Sequence, residues 1–203
     1  MHKEILSINQ LALLRLVKEF SNSFYLVWGT AMSLYIWHRK SIDFDLFSNK
    51  PINHNRIIST IKKFWYSVTK TLVKNEDELT VIIDGVKFTF LYFPFDIKWN
   101  TNILPWIKSL ELLDIAALKA YAIWSRSKWK DYVDMYLITK DYYSISEISD
   151  RARLIFGWSF NEKIFREQLC YFDDIDYTEE VDYINDKIEP ILIKNRLSEI
   201  AVL

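Results

Sequence analysis

At 203 residues, half of them hydrophobic and 16% aromatic, with three glycines and four prolines, the chain carries enough apolar surface for a sizeable core. That composition excludes a disordered, low-complexity or fibrous protein. A formal net charge of -1 gives no global pull toward nucleic acid, and one cysteine, Cys170, excludes an internal disulfide or a multi-cysteine zinc site.

Charge is unevenly placed. Lys50, Arg56, Lys62, Lys63, Lys70 and Lys74 precede an acidic stretch from Asp173 to Asp182, which reads as a solvated face. The first twenty residues are broken by Lys3, Glu4, Arg15, Lys18 and Glu19, so they lack the apolar core of a signal peptide. No other segment approaches the roughly 18 apolar residues of a membrane span. A cytoplasmic protein in a reducing compartment, with no membrane partner, is the expectation.

In chain order, Leu11, Leu14, Leu16, Val17 and Phe20 recur at helical spacing and predict a helix over 9–20, which Ser21-Asn22-Ser23 interrupts. Phe24 to Trp28 is an apolar run of strand length, closed by Gly29-Thr30, and 31–38 reads as helix again. The segment Ile42-Asp43-Phe44-Asp45-Leu46-Phe47 alternates apolar and acidic with a period of two, so a strand puts both aspartates on one face. After Asn49-Lys50-Pro51, a helix is predicted over 52–64, then strands over 67–73 and 79–83. Asp84-Gly85 is a two-residue hairpin signal that returns a strand over 86–93 antiparallel to its predecessor. A loop containing Pro105 follows. Helices are then predicted over 110–124, 130–138, 146–156, 162–171 and 184–200. Strands first and helices last define an α+β chain: a mixed-sheet lobe over 1–108 and a helical lobe over 109–203.

Two carboxylates two residues apart on one strand face repel each other, and a divalent cation between them and triphosphate oxygens relieves that repulsion. Asp43 and Asp45 fit this need. The small-residue turn Gly29-Thr30 offers backbone N–H groups at a helix start to a phosphate. Downstream, Lys119 and Arg126 lie seven residues apart on one helix face, and Asp131 and Asp134 three apart on the next helix. Read on spacing alone, such pairs are solvated surface charges. The tryptophans are read mainly as core residues rather than base-stacking platforms.

Two blocks carry a family resemblance. Gly29-Thr30-Ala31, followed by His38-Arg39-Lys40-Ser41-Ile42-Asp43-Phe44-Asp45-Leu46-Phe47-Ser48, resembles the first motif of AbiEii/AbiGii-type nucleotidyltransferase toxins. Asp114-Ile115-Ala116-Ala117-Leu118-Lys119, then Arg126, then Lys130-Asp131-Tyr132-Val133-Asp134, is similar to that family's downstream lysine, arginine and aspartate motif. The resemblance covers about residues 20 to 140.

It implies a nucleotidyltransferase-like sheet lobe followed by a helical lobe. It also implies Asp43 and Asp45 as Mg2+ ligands, and Gly29 and Thr30 beside the triphosphate. Lys119 would contact the triphosphate, Arg39 and Arg126 would assist, and Asp131 would orient the lysine or assist proton transfer, with Asp134 as a secondary candidate. One departure stands out. Many nucleotidyltransferases carry a third carboxylate on a later strand, whereas here that strand reads Val86-Lys87-Phe88-Thr89-Phe90-Leu91 and holds no acid.

The implied activity is Mg2+-dependent transfer of a nucleoside monophosphate from a nucleoside triphosphate to tRNA or protein, by the toxin of a toxin–antitoxin pair with a cognate antitoxin as partner. Two alternatives stay open: a catalytically inactive module of the same fold, and a nucleotidyltransferase acting on small molecules.

Overall fold

The computed structural model describes residues 2–99 and 101–202. The chain divides into two compact units, one up to Glu111 and one from Leu112, three residues beyond the boundary read from the sequence.

The first unit opens with α1 (Ile8–Phe20), started by a reciprocal capping box between Ser7 and Gln10. Its sheet contains β1 (Tyr25–Val27), β2 (Phe44–Ser48), β3 (Val68–Lys74), β4 (Glu78–Ile83), β5 (Val86–Tyr92), β6 (Thr101–Leu104) and β7 (Ile107–Ser109). The spatial order is β3-β4-β5-β2-β1-β7-β6. The sheet is mixed: β2 runs parallel to β5 and β1 parallel to β7, while the other neighbours are antiparallel. Alternation builds its buried face, with Phe44 and Leu46 of β2, Leu79, Val81 and Ile83 of β4, and Phe88 and Phe90 of β5 all out of solvent. Phe20 at the end of α1 meets Phe90 edge-on, with 4.8 Å between ring centroids. The hairpin at Asp84-Gly85 forms as expected, with φ of +48° and +78°, the left-handed pair that joins two strands in two residues.

Two local expectations are corrected. Gly29-Thr30 is not a turn between strand and helix: α2 (Trp28–Ile36) starts directly after β1, so both residues lie in its first turn. The reversal falls on Trp28, whose φ is +54°, and its indole packs edge-on against Phe47 at 5.1 Å. A left-handed tryptophan carries a backbone cost that packing must offset, so sequence preference places the turn one residue late. The region read as a loop around Pro105 is the β6–β7 hairpin, with β7 joining the sheet beside β1. Strands of four and three residues are too short to show alternation, and Trp106, at φ +64°, turns the chain where no glycine marks it. The remaining helix of this unit, α3 (His54–Lys63), is capped by Asn53, whose side chain accepts from Arg56 N–H.

The second unit is helical: α4 (Leu112–Ser125), α5 (Trp129–Asp141), α6 (Ile145–Phe156), α7 (Glu162–Gln168) and α8 (Pro190–Ala201). α4 is its centre, buried at every position from Asp114 to Ala120, and α5, α6 and α7 surround it. Arg151 of α6 binds Asp114, and Tyr121 stacks on Phe156 with centroids 4.2 Å apart. Arg166 donates to the carbonyls of Ile200 and Ala201, closing the C-terminal end of α8. That helix begins at Pro190 rather than 184, because a proline is favoured at a first helical position. Among the described residues, no helix is long and apolar enough to cross a membrane.

Candidate active site

The first unit carries the paired aspartates. Asp43 immediately precedes β2 and Asp45 lies within it, both half-buried, flanking the fully buried Phe44. The period of two therefore puts both on one face, as read from the sequence, opposite the buried Phe44 and Leu46. On the adjacent strand β5, Lys87 and Thr89 alternate with buried Phe88 and Phe90. Phe44 pairs with Phe88 and Asp45 with Thr89, so Lys87 and Thr89 share the aspartates' face. The Lys87 ammonium lies 2.5 Å from Asp43 Oδ2.

The segment leading into β2 is pinned by side chains from two helices. Buried Gln10 of α1 donates from Nε2 to the carbonyl of Ser41 at 2.9 Å. Thr30 Oγ1 is 3.0 Å from Ser41 Oγ and also bonds the carbonyl of Asp43. Arg39 is buried and donates to the carbonyl of Lys40. A Cβ on Gly29 would lie 2.8 Å from Ser41 Oγ and 3.1 Å from an Arg39 Nη, so only glycine admits this approach. Thr30 is thus a tie between α2 and the aspartate segment. Arg39 brings a guanidinium against the first turn of a helix, where the N–H dipoles are also positive. That arrangement favours an anion.

The second unit carries the lysine block, and its lysine and two aspartates are buried. Lys119 of α4 is 2% exposed and lies between two buried carboxylates of α5, 2.5 Å from Asp131 Oδ1 and 2.7 Å from Asp134 Oδ2. Arg126, just beyond α4, reaches Asp131 Oδ2 at 3.1 Å with its own side chain 34% exposed. Two cations and two anions balance, which is the condition for burying any of them. Spacing alone suggested solvated pairs. The helices bury them because α4 is apolar on nearly every side. Asp131 and Asp134 both orient the lysine, and Arg126 is the cation of the group most open to solvent.

Two carboxylates on one strand face, one of them 2.5 Å from an ammonium, are hard-oxygen donors of the kind that could hold Mg2+. That ion usually keeps water and phosphate oxygens as its other ligands. Sequence reasoning singled out every one of these residues except Lys87, Thr89, Gln10 and Ser41. Lys87 was legible in principle, since alternation along 86–91 places it beside the aspartates.

No protein-family model matches the chain. Its fold is that of the nucleotidyltransferases. A Helicobacter pylori protein assigned as a nucleotidyltransferase superposes with a TM-score of 0.61 at 15% identity, covering 100% of this chain and 95% of the other. JHP933, also from Helicobacter pylori, superposes at 0.61 and 15% identity over 98% and 91% of the two chains. MenT4, a nucleotidyltransferase toxin from Mycobacterium tuberculosis, does so at 0.62 and 10% identity over 93% and 81%. At the level of sequence, the chain is 31% identical over 163 residues to the uncharacterized protein aq_aa25 of Aquifex aeolicus, covering 75% of each, and it belongs to that protein's family.

Proposed function

We propose that the protein is a nucleotidyltransferase that moves a nucleoside monophosphate from a triphosphate to a hydroxyl of a macromolecular acceptor, tRNA or protein. The observation that carries this reading is the same-face pair Asp43 and Asp45, set beside a helix start that bears a buried guanidinium. Asp43 and Asp45 would hold Mg2+, which supplies charge neutralisation for the triphosphate. The likeness to MenT4, a nucleotidyltransferase toxin, supports a toxin role with a cognate antitoxin as partner.

In the transfer, an acceptor hydroxyl oxygen forms a bond to the α-phosphorus while the bond from that phosphorus to the bridging oxygen breaks. Pyrophosphate leaves, and the hydroxyl proton passes to water. The chain's part is positioning and charge. Gly29 lets Arg39 and Ser41 close on α2, Thr30 fixes the carbonyl of Asp43, and Arg39 and Arg126 offer planar forks suited to phosphate oxygens. Asp131 and Asp134 hold Lys119 in one position.

The test incubates the protein with Mg2+, each α-labelled nucleoside triphosphate, and either total tRNA or lysate protein. The Asp43→Ala/Asp45→Ala variant serves as control, with calorimetric triphosphate binding in parallel. Label transfer that the variant loses supports the reading and identifies the acceptor class. Triphosphate binding unchanged in the variant overturns the assignment of the aspartates, and binding without transfer to any acceptor favours a non-catalytic module.

A further inference from the structure

We infer that Lys87 supplies, from the chain itself, the positive charge that a second divalent ion would bring to Asp43, so that the site takes one divalent ion per chain. This rests on the nucleotidyltransferase reading and deepens it.

The argument starts from the sheet. β5 lies between β2 and β4, and Asp45 of β2, Thr89 of β5 and Thr80 of β4 form one row across the three strands. In the next row Lys87 pairs with Ile82 of β4 and, on its other side, meets Asp43. The β5 position paired with Asp45 therefore carries a hydroxyl, and Asp43 meets an ammonium. A carboxylate at either β5 position would make a three-acid cluster able to share two cations. Among the described residues, no group of three or more His, Cys, Asp or Glu side chains that could hold a metal exists.

An ammonium is a compact point charge with three donors and no acceptor, so it can donate to more than one anionic oxygen. At 2.5 Å from Asp43 Oδ2, Lys87 already brings one positive charge to that carboxylate. Its side chain is 37% exposed and that of Asp43 27%, so burial does not dictate the pairing. As an ordinary surface ion pair the contact would matter little to folding. Its position beside the candidate metal ligands gives it a consequence that a surface pair lacks: it competes with cations for Asp43.

Mn2+, followed by electron paramagnetic resonance of the free ion, reads this directly, without any measurement of transfer. Wild-type protein and Lys87→Met are titrated with Mn2+ alone and then with an α,β-methylene nucleoside triphosphate present. Lys87→Gln and thermal melting guard against misfolding. With the analogue, wild type should take up one Mn2+ per chain. With Mn2+ alone, K87M should bind roughly tenfold more tightly than wild type, because a like charge a few ångström away has been removed in a partly screened site. Adding Asp45→Asn to K87M should abolish the gain. Two Mn2+ per wild-type chain, or a K87M affinity no higher than wild type, would overturn the inference. If K87M gains Mn2+ affinity while neither protein binds the triphosphate analogue, the charge role of Lys87 stands and the nucleotidyltransferase reading fails.

Discussion

Replacing Lys119 by methionine keeps the length and apolar stem of the side chain and removes only its charge. In the folded protein that charge lies 2.5 Å from Asp131 and 2.7 Å from Asp134, with all three residues nearly or fully out of solvent. Asp131 would keep Arg126 at 3.1 Å, whereas Asp134 would lose its lysine outright. Removing one member of a buried ionic group costs about 3–5 kcal/mol, since the carboxylates stay desolvated with the lysine's charge gone. Against a total stability of about 5–15 kcal/mol this is a large fraction. At about 2–4 °C per kcal/mol for a chain of this length, Tm should fall by roughly 6–20 °C. Differential scanning calorimetry at neutral pH, with circular dichroism to confirm helix content, measures it. A fall below about 2 °C would refute the argument that Lys119 is held as a structural as well as a functional cation. Any loss of triphosphate affinity in this variant has to be compared at a temperature where it remains folded.

Other perturbations separate folding from function. Arg126→Ala leaves buried Asp131 with Lys119 alone, but the arginine side chain is itself 34% exposed, so Tm should fall by less than in the Lys119 variant. Triphosphate affinity by calorimetry should fall about tenfold or more, as expected for losing a charge-assisted contact to phosphate. Gly29→Ala forces a Cβ to within 2.8 Å of Ser41 Oγ and 3.1 Å of Arg39, and should destabilise by about 1–3 kcal/mol in urea unfolding. An unchanged midpoint would show that the segment before β2 gives way freely. The Lys128 ammonium, 2.5 Å from Glu179, holds that carboxyl well below its ordinary value, at about 2, with Lys130 assisting. A depressed carboxyl pKa contributes stability that is fully present above the ordinary value and is lost as pH falls from about 4.5 toward 2. Carboxyl NMR should show Glu179 titrating near 2, and Lys128→Ala should move the midpoint up toward 4.5; no movement would disprove the cause.

Much of this protein is legible in one dimension. Period-two alternation over 42–47 and 86–91, the Asp84-Gly85 turn and the helical periodicity after residue 110 are local signals with local causes, and the structure forms the elements they predict. The shared face of Asp43 and Asp45 follows from strand geometry alone. Other features depended on neighbours remote in sequence. Trp28 and Trp106 adopt left-handed conformations that no residue preference suggests. β6 and β7 are short strands whose existence depends on pairing with each other and with β1. Whether Lys119, Asp131 and Asp134 are solvated or buried is undetermined by their spacing; it was decided when α5 packed its two aspartates against an otherwise apolar α4. Lys87 meets Asp43, 44 residues earlier in the chain, only because β5 pairs in parallel beside β2. The sequence by itself determined the local conformations and the faces of each strand and helix, because those depend on near neighbours and on side-chain period. The tertiary structure alone decided which charges face one another and which leave water, because desolvation and counter-charge belong to the assembled fold.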